Sequence, residues 1–360
     1  MGGRSFKVAR EVTPFFTPLS FGRKGPAHRV TLADVAQISR IVRGAPEVMV
    51  KVTGGGSGPA GVVASLRYVG REGRLPIETD TGDPVLSRAQ QRDLVKSWNL
   101  DLVRGRYRDR EPTRSGADRK RRTPRVAYNI VLGMPAPTPP KAVQAAARQF
   151  AREQFGATHR YAMVLHTDQA HPHVHLIVKA EDERGQRLRI DKAKLRAWRE
   201  RFAEALRDHG IEANASTRFE RGYHGRRLNT KTLRATQHRR SDAWIAKLRS
   251  VRAELAASGQ IRDPGRPVIE ASREALYAQW LKTAATLEAQ GAKALAQAVK
   301  TFSHSLPEPL TGREQLAEKL VQAGEARIAR EQERQRQESR ERERVLKRER
   351  TRERDYDLTR

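Results

Sequence analysis

Two apolar runs near the middle of the chain, YAMVLH (161–166) and HVHLIVKA (173–180), are separated by only the six residues TDQAHP. Both runs have strand length, and so short a link makes the second a hairpin partner or near neighbour of the first. The pair also gathers four of the chain's ten histidines, His166, His171, His173 and His175, with Asp168 among them. Residues two apart on a strand share a face, so His173 and His175 point together, while Val174, Leu176 and Val178 point to a covered side. A hairpin return sets His166, which ends the first run, opposite that pair. Three imidazoles then converge from two strands and leave coordination positions free, an arrangement that can hold a divalent Lewis acid. Nitrogen ligands suit manganese, zinc and their neighbours, whereas carboxylate-rich sites suit magnesium. His171 sits in the turn before Pro172, outside the strand pair. Asp168 could fix the tautomer of a ligand histidine or accept a proton from a nucleophile, and spacing leaves both roles open. Two plainer readings compete. A surface hairpin with unrelated histidines fits poorly with four His and one Asp at these spacings, and a structural zinc site usually recruits four protein ligands.

The rest of the first two-thirds supplies partners for this hairpin. VMVKV (48–52) reads as a strand, and GGGSGPAG (54–61) as a turn into a helix over 62–71. LSRAQQRDLVKSW (86–98) is a second helix and VAYNIVL (126–132) a buried strand. Over 141–155 the residues Val143, Ala146, Ala147, Phe150, Ala151 and Phe155 share one helical face. Over 191–210 Asp191 is a cap, Leu195, Trp198, Phe202 and Leu206 form a stripe, and Gly210 suits the end. The order strand–helix–helix–strand–helix–strand–strand–helix predicts an α/β sandwich, one sheet with a face covered by helices. Around it lie a basic N-terminal extension (1–47) with one apolar patch at 35–42 and a polar, basic loop at 106–122. The sandwich itself spans 48–225. Beyond it no strand is expected: 226–324 reads as a helical region broken near Pro264 and Pro267, and 325–360 as a highly charged helix or disordered tail.

Charge narrows the partner. Seventy-one Lys and Arg against 42 acids give a formal charge of +29, which favours nucleic acid, whose phosphates absorb such charge through counterion release. An anionic membrane surface is the competitor, but the basic residues are spread along the whole chain. With no cysteine, disulfides, thiolate zinc sites and iron–sulfur clusters are excluded, which suits a reducing compartment. No leader-like apolar stretch opens the chain and no membrane span is evident, so a cytoplasmic protein is expected. The absence of GxxxxGK[ST] argues against a fused nucleotide-driven motor.

Of the seven tyrosines, Tyr128 and Tyr161 fall in apolar strands and Tyr277 and Tyr356 in the helical tail. Tyr68 differs, because it lies off the arc made by Val62, Val63, Leu66 and Val69, just after the Gly-rich turn. On geometry alone it is either a border residue or a ring free to face a site.

VTGGGSGPAGVVASLRYVGREGRL together with HTDQAHPHVHLIVK resembles the mobilisation relaxases, which include the T-DNA border endonucleases and are HUH-type nucleases of bacterial conjugation. The similarity runs over roughly 48–225, through VAYNIVLGMP, QFAREQFG and GIEANASTRFERG. It implies a two-layer sandwich with a central antiparallel sheet covered by helices, followed by an α-helical C-terminal region. It also implies metal-dependent nicking of one strand at a transfer origin. Tyr68 would then attack the scissile phosphate to leave a 5′-phosphotyrosine. His166, His173 and His175 would hold magnesium or manganese, and Asp168 would be the acidic residue of the same loop. Arg67, Arg71 and Arg74 flank Tyr68 and could hold adjacent phosphates. The implied partners are single-stranded DNA at the origin, an accessory DNA-binding protein and a type IV secretion coupling protein, with transfer to a recipient cell alongside the DNA. LPIETDTGDP (75–84) does not align, so the family's small polar DNA-contacting residue is unassigned, with Ser65 and Ser87 as candidates. Two alternatives remain: a rolling-circle replication initiator using the same chemistry, and a non-catalytic nucleic-acid-binding protein that keeps the fold.

Overall fold

The computed structural model describes residues 30–100, 124–224 and 242–357. The loop expected at 106–122, the first part of the basic extension and the last three residues lie outside them. The chain divides into two compact units, with the boundary between Thr217 and Arg218.

The first unit is built on a five-stranded antiparallel sheet. Its strands are β1 (Met49–Gly54), β2 (Glu78–Thr79), β3 (Ala127–Gly133), β4 (Tyr161–His166) and β5 (His173–Lys179), in spatial order β1-β3-β5-β4-β2. β4 and β5 form the hairpin read from sequence, with the same bounds for β4 and one residue fewer at the end of β5. Strand alternation sorts the apolar side chains. Ile130, Leu132, Met163, Val174, Leu176 and Val178 face α4 (Pro140–Phe155) and α5 (Lys192–Asp208). There Phe150 meets Phe155, Trp198 and Phe202 edge-on, at ring separations of 6.1, 6.3 and 6.0 Å. Asp191 caps α5 by accepting a hydrogen bond from the Lys194 N–H.

The opposite face is covered too. Ala127, Ala162, Val164 and Ile177 pack against Val62, Leu66 and Val69 of α2 (Pro59–Val69) and Val95 of α3 (Arg88–Ser97). Small residues at 127 and 162 let these helices come close to the sheet. The expected α/β architecture with a helix-covered antiparallel sheet is therefore present, with helices on both faces. The carbonyl of Val69, the last residue of α2, meets His166 at the end of β4.

Two elements were not legible beforehand. α1 (Leu32–Val42) occupies the apolar patch of the basic extension, with a Thr31/Asp34 capping box and with Ile38 and Ile41 buried. β2 lies inside LPIETDTGDP and pairs Glu78 with Met163 and Thr79 with Ala162.

The second unit is helical: α6 (Asp242–Ser258), α7 (Arg266–Ala289), α8 (Lys293–His304) and α9 (Glu314–Asp357). Trp280 of α7 stacks edge-on with Phe302 of α8 at 5.3 Å. Trp244 and Val251 of α6 are buried with Leu316 and Ala317 of α9. α9 runs without a break through position 325, and every residue from 321 to 344 is exposed. Among the described residues no helix is long and apolar enough to cross a membrane.

Candidate metal and nucleophile site

Register explains why three histidines meet. His166 and His173 are directly paired across β4 and β5, and His175 lies two residues further along β5 on the same face. Their ring centroids are 5.3 Å (166–173), 4.5 Å (166–175) and 5.1 Å (173–175) apart. One nitrogen from each falls within 4.8 Å of the others. Nitrogens bound to one ion at about 2.1 Å in a tetrahedral set stand about 3.4 Å apart, so the rings must draw together by no more than about 1.4 Å to complete the site. The donor set fits a divalent ion.

Room for it comes from β3. Gly133 pairs with His173, and a Cβ at Gly133 would stand 3.2 Å from His173 Cβ and 3.3 Å from Met49 Cε. Any larger residue would press on the imidazole cluster.

Two backbone carbonyls set the ring protons. His166 Nε2 lies 2.6 Å from the Val69 carbonyl and His173 Nδ1 lies 3.0 Å from the His171 carbonyl. A carbonyl only accepts, so both nitrogens carry protons, and His166 Nδ1 and His173 Nε2 keep their lone pairs. Burial lowers the pKa of His166, with the Arg71 charge adding to the effect, against an opposing contribution from the Val69 carbonyl. Burial, then the charges of its two neighbouring histidines, lowers His175 to about 4. His166 and His175 are thus held neutral, as ligation requires.

A cleft of about 470 Å³ opens over the triad, lined by Tyr68, Arg71, His171 and the outward side chains Met49, Lys51 and Thr53 of β1. Tyr68 sits in the last turn of α2 with 65% of its surface exposed, whereas Val62, Leu66 and Val69 on the other side of the helix are buried. The helix therefore presents this ring to the cleft and not to the core. Asp168 is ion-paired with Arg71, and its other oxygen is 4.0 Å from His166 Nδ1. Partial desolvation works to raise the Asp168 pKa, but the Arg71 and His166 charges outweigh it and hold the carboxyl below its usual range.

The remaining sequence candidates divide. Of the three flanking arginines only Arg71 lines the cleft. Arg67 is bound to Glu72 through two hydrogen bonds (3.1 and 2.8 Å), and Arg74 Nε donates to the Arg71 carbonyl at 3.1 Å. His171 borders the cleft, but its Nδ1 accepts from the Ala136 N–H at 3.2 Å, and it is not one of the three that converge. Ser65 donates to the Gly61 carbonyl and accepts from Asn129, while Ser87 caps α3, so both serve local structure. Sequence reasoning missed Gly133, Glu72 and the outward face of β1. The alternation of Lys51 and Thr53 with Val50 and Val52 was the available signal for the last of these.

The family description "Relaxase: MobA/VirD2-like, nuclease domain" matches residues 90–211, which hold β3, β4, β5 and the whole imidazole triad. Over that stretch the chain is similar to the nuclease domain of MobA/VirD2-like relaxases. Two curated relatives bear the name T-DNA border endonuclease VirD2. The one from Rhizobium rhizogenes is 27% identical over 60% of this chain and 50% of its own length. The one from Agrobacterium fabrum (strain C58) is 28% identical over 56% of this chain and 45% of its own length. The chain thus spans about half the length of the curated relatives it matches. A solved structure titled "Molecular Basis of Vancomycin Resistance Transfer in Staphylococcus aureus" aligns with 48% of this chain and 99% of its own at 12% identity. Its TM-score of 0.32 is too low to bear on the fold of this chain. The family match begins downstream of α2, so the placement of Tyr68 beside the triad comes from the geometry.

Proposed function

We propose that the unit ending at Thr217 nicks one strand of DNA at a transfer origin by tyrosine transesterification. The observation that carries this reading is a single cleft that holds an exposed phenol at the end of α2 and three converging imidazoles on β4 and β5. Tyr68 Oη attacks the scissile phosphorus, the bond to the 3′ oxygen breaks, and the products are a 5′-phosphotyrosine and a free 3′ hydroxyl. The phenolic proton is lost and the departing oxygen gains one. The ester conserves the energy of the broken bond, so the strand can be rejoined without ATP. Attack by water would discard that energy.

His166, His173 and His175 would hold the divalent ion, magnesium or manganese. When bound, the ion supplies positive charge against which the phosphate oxygens become more negative. Asp168 suits a positioning role better than that of a base. A carboxylate held below its ordinary pKa is a poor match for a phenol of pKa near ~10, and its contacts are to Arg71 and His166. Lys51 on β1 and Arg71 add positive charge at the rim for adjacent phosphates. In this reading the protein acts in a bacterial cytoplasm and travels with the strand it carries. An accessory DNA-binding protein and a secretion coupling protein would be its partners.

The test is a labelled single strand carrying the candidate origin, incubated with manganese or magnesium and run on a denaturing gel. Label shifted to protein mass, lost in Tyr68→Phe and lost with chelator, is the expected result. Because Tyr68 is 65% exposed, Tyr68→Phe should change stability by no more than about 0.5 kcal/mol. Free cleaved DNA from an equally active Tyr68→Phe would replace this reading with a water-using metal nuclease.

A further inference from the structure

Immediately after Tyr68 the chain makes a tight turn, Gly70–Arg71–Glu72–Gly73, in which Arg71 and Glu72 have φ of 50° and 58°. Two successive non-glycine residues in the left-handed region are strained, and such strain persists only where the surroundings enforce it. Here Glu72 enforces it, since one of its carboxylate oxygens accepts from Arg67 on α2 at 2.8 Å and from Arg88 on α3 at 3.2 Å. The turn so pinned aims Arg71 back over the cleft. Its Nη2 is ion-paired with Asp168 and donates to His166 Nδ1 at 3.4 Å, and its Cζ stands 5.7 Å from the centre of the Tyr68 ring.

The Nδ1 contact matters because of what the other side of the ring does. His166 Nε2 is committed to the Val69 carbonyl at 2.6 Å, so Nδ1 carries the ring's only lone pair. That is the pair a cation would need, and Arg71 occupies it with an N–H. A guanidinium also places a full positive charge beside the triad and repels an incoming divalent ion. In return it gains one carboxylate partner and a long hydrogen bond to a neutral ring. A phosphodiester is the better acceptor for this group, because its two anionic oxygens match the guanidinium fork. A strand laid across Tyr68 would bring such a phosphate to the rim where Arg71 sits.

We propose that Arg71 is a latch that closes the imidazole triad to divalent ions until a DNA phosphate draws the guanidinium away, so that metal binding and single-strand binding favour one another. The inference rests on the reading of the cleft given above. By linkage, whatever factor the strand contributes to metal affinity, the metal contributes to strand affinity.

The test uses the full chain with Tyr68→Phe, so that no covalent step intervenes. Manganese is titrated calorimetrically with and without a saturating mixed-sequence 30-nucleotide single strand. Uptake that disappears in His173→Ala is assigned to the triad. The expected result is manganese affinity at least about five-fold tighter with the strand present. Adding Arg71→Ala should tighten manganese binding without the strand by a similar factor and remove the effect of the strand. Should that variant lose its cooperative thermal transition, Arg71→Lys carries the test. A single ammonium cannot grip a phosphate through two parallel bonds, so the coupling should fall below that of the parent. Equal manganese affinity with and without the strand overturns the latch and leaves the metal site standing. Coupling of undiminished size in the Arg71 variants also overturns it, because the strand would then act only by attracting cations. No manganese uptake at the triad under either condition overturns the latch and the metal reading together.

Discussion

The approach of α2 to the sheet can be tested at two adjacent glycines. An alanine Cβ at Gly55 would lie 2.1 Å from the Ala127 carbonyl oxygen and 2.8 Å from Arg125 Cδ. Real Cβ contacts essentially never fall below 3.0 Å, so the backbone must part by at least 0.9 Å (3.0 − 2.1). β3 cannot yield, because Ala127 is fully buried and paired with Lys179. The loop before α2 must move instead, and it carries the Gly56 carbonyl, which accepts from the Val126 N–H at 2.8 Å. Overpacking of this kind costs about 1–3 kcal/mol, and loss of the hydrogen bond adds about 1 kcal/mol. Gly55→Ala should therefore destabilise the first unit by about 2–4 kcal/mol. For a unit of this size that is a fall in Tm of roughly 5–12 °C. Gly54→Ala is the internal control. Nothing lies within 4 Å of its Cβ position and its φ is not positive, so restricting the unfolded chain should make it neutral or up to about 1 kcal/mol more stable. Scanning calorimetry of the full chain reads both. A Gly55→Ala protein as stable as its parent, or equal losses from the two variants, would refute the claimed contact between loop and β3.

Two further outcomes follow from local geometry. Ser87 and Gln90 form a reciprocal capping box at α3, with bonds of 3.1 and 2.9 Å, so Ser87→Ala should cost about 1 kcal/mol in denaturant unfolding. Ser87→Asp should recover most of it. Burial lowers the His159 pKa below 6.5, with Lys179 and Lys194 adding to the effect and Asp182 opposing it, so the ring is neutral in the fold. Below pH 6.5 the unfolded chain binds the extra proton, and the stability that His159 contributes is present above that pH and lost as pH falls. The slope of Tm against pH just below 6.5 should be shallower in His159→Gln, and an unchanged slope would exclude this residue as its source.

The division between what the sequence disclosed and what it did not follows the range of the interactions. Periodicity is local, so the parity of His173 and His175 against Val174, Leu176 and Val178 was legible, as were the short return to His166, the Asp191 cap and the off-stripe position of Tyr68. β2 escaped because two paired residues leave no period to read. α1 escaped because a basic, Pro- and Gly-bearing context masked a short apolar patch. The contacts that decide how the site works were beyond reach for a different reason. Val69 meets His166, and Arg71 meets Asp168, each across 97 residues of sequence, and they do so only because α2 and β4 lie in the same core. Nothing in VGREGRL marks Arg71 above its neighbours Arg67 and Arg74. What distinguishes it is a left-handed turn held by Glu72, a property of the folded backbone.

This difference in range has a consequence for the chemistry. The histidines sit on paired strands whose register fixes their spacing, whereas the phenol and the guanidinium sit on a helix end and a strained turn. The imidazole side of the cleft is accordingly the rigid partner, and in the proposed reading adjustment to a bound strand belongs to the α2 side. Substitutions in the Gly70–Gly73 turn should therefore change strand handling and its coupling to metal while leaving the imidazole geometry intact. Substitutions at Gly133, whose Cβ would press on His173, should do the reverse.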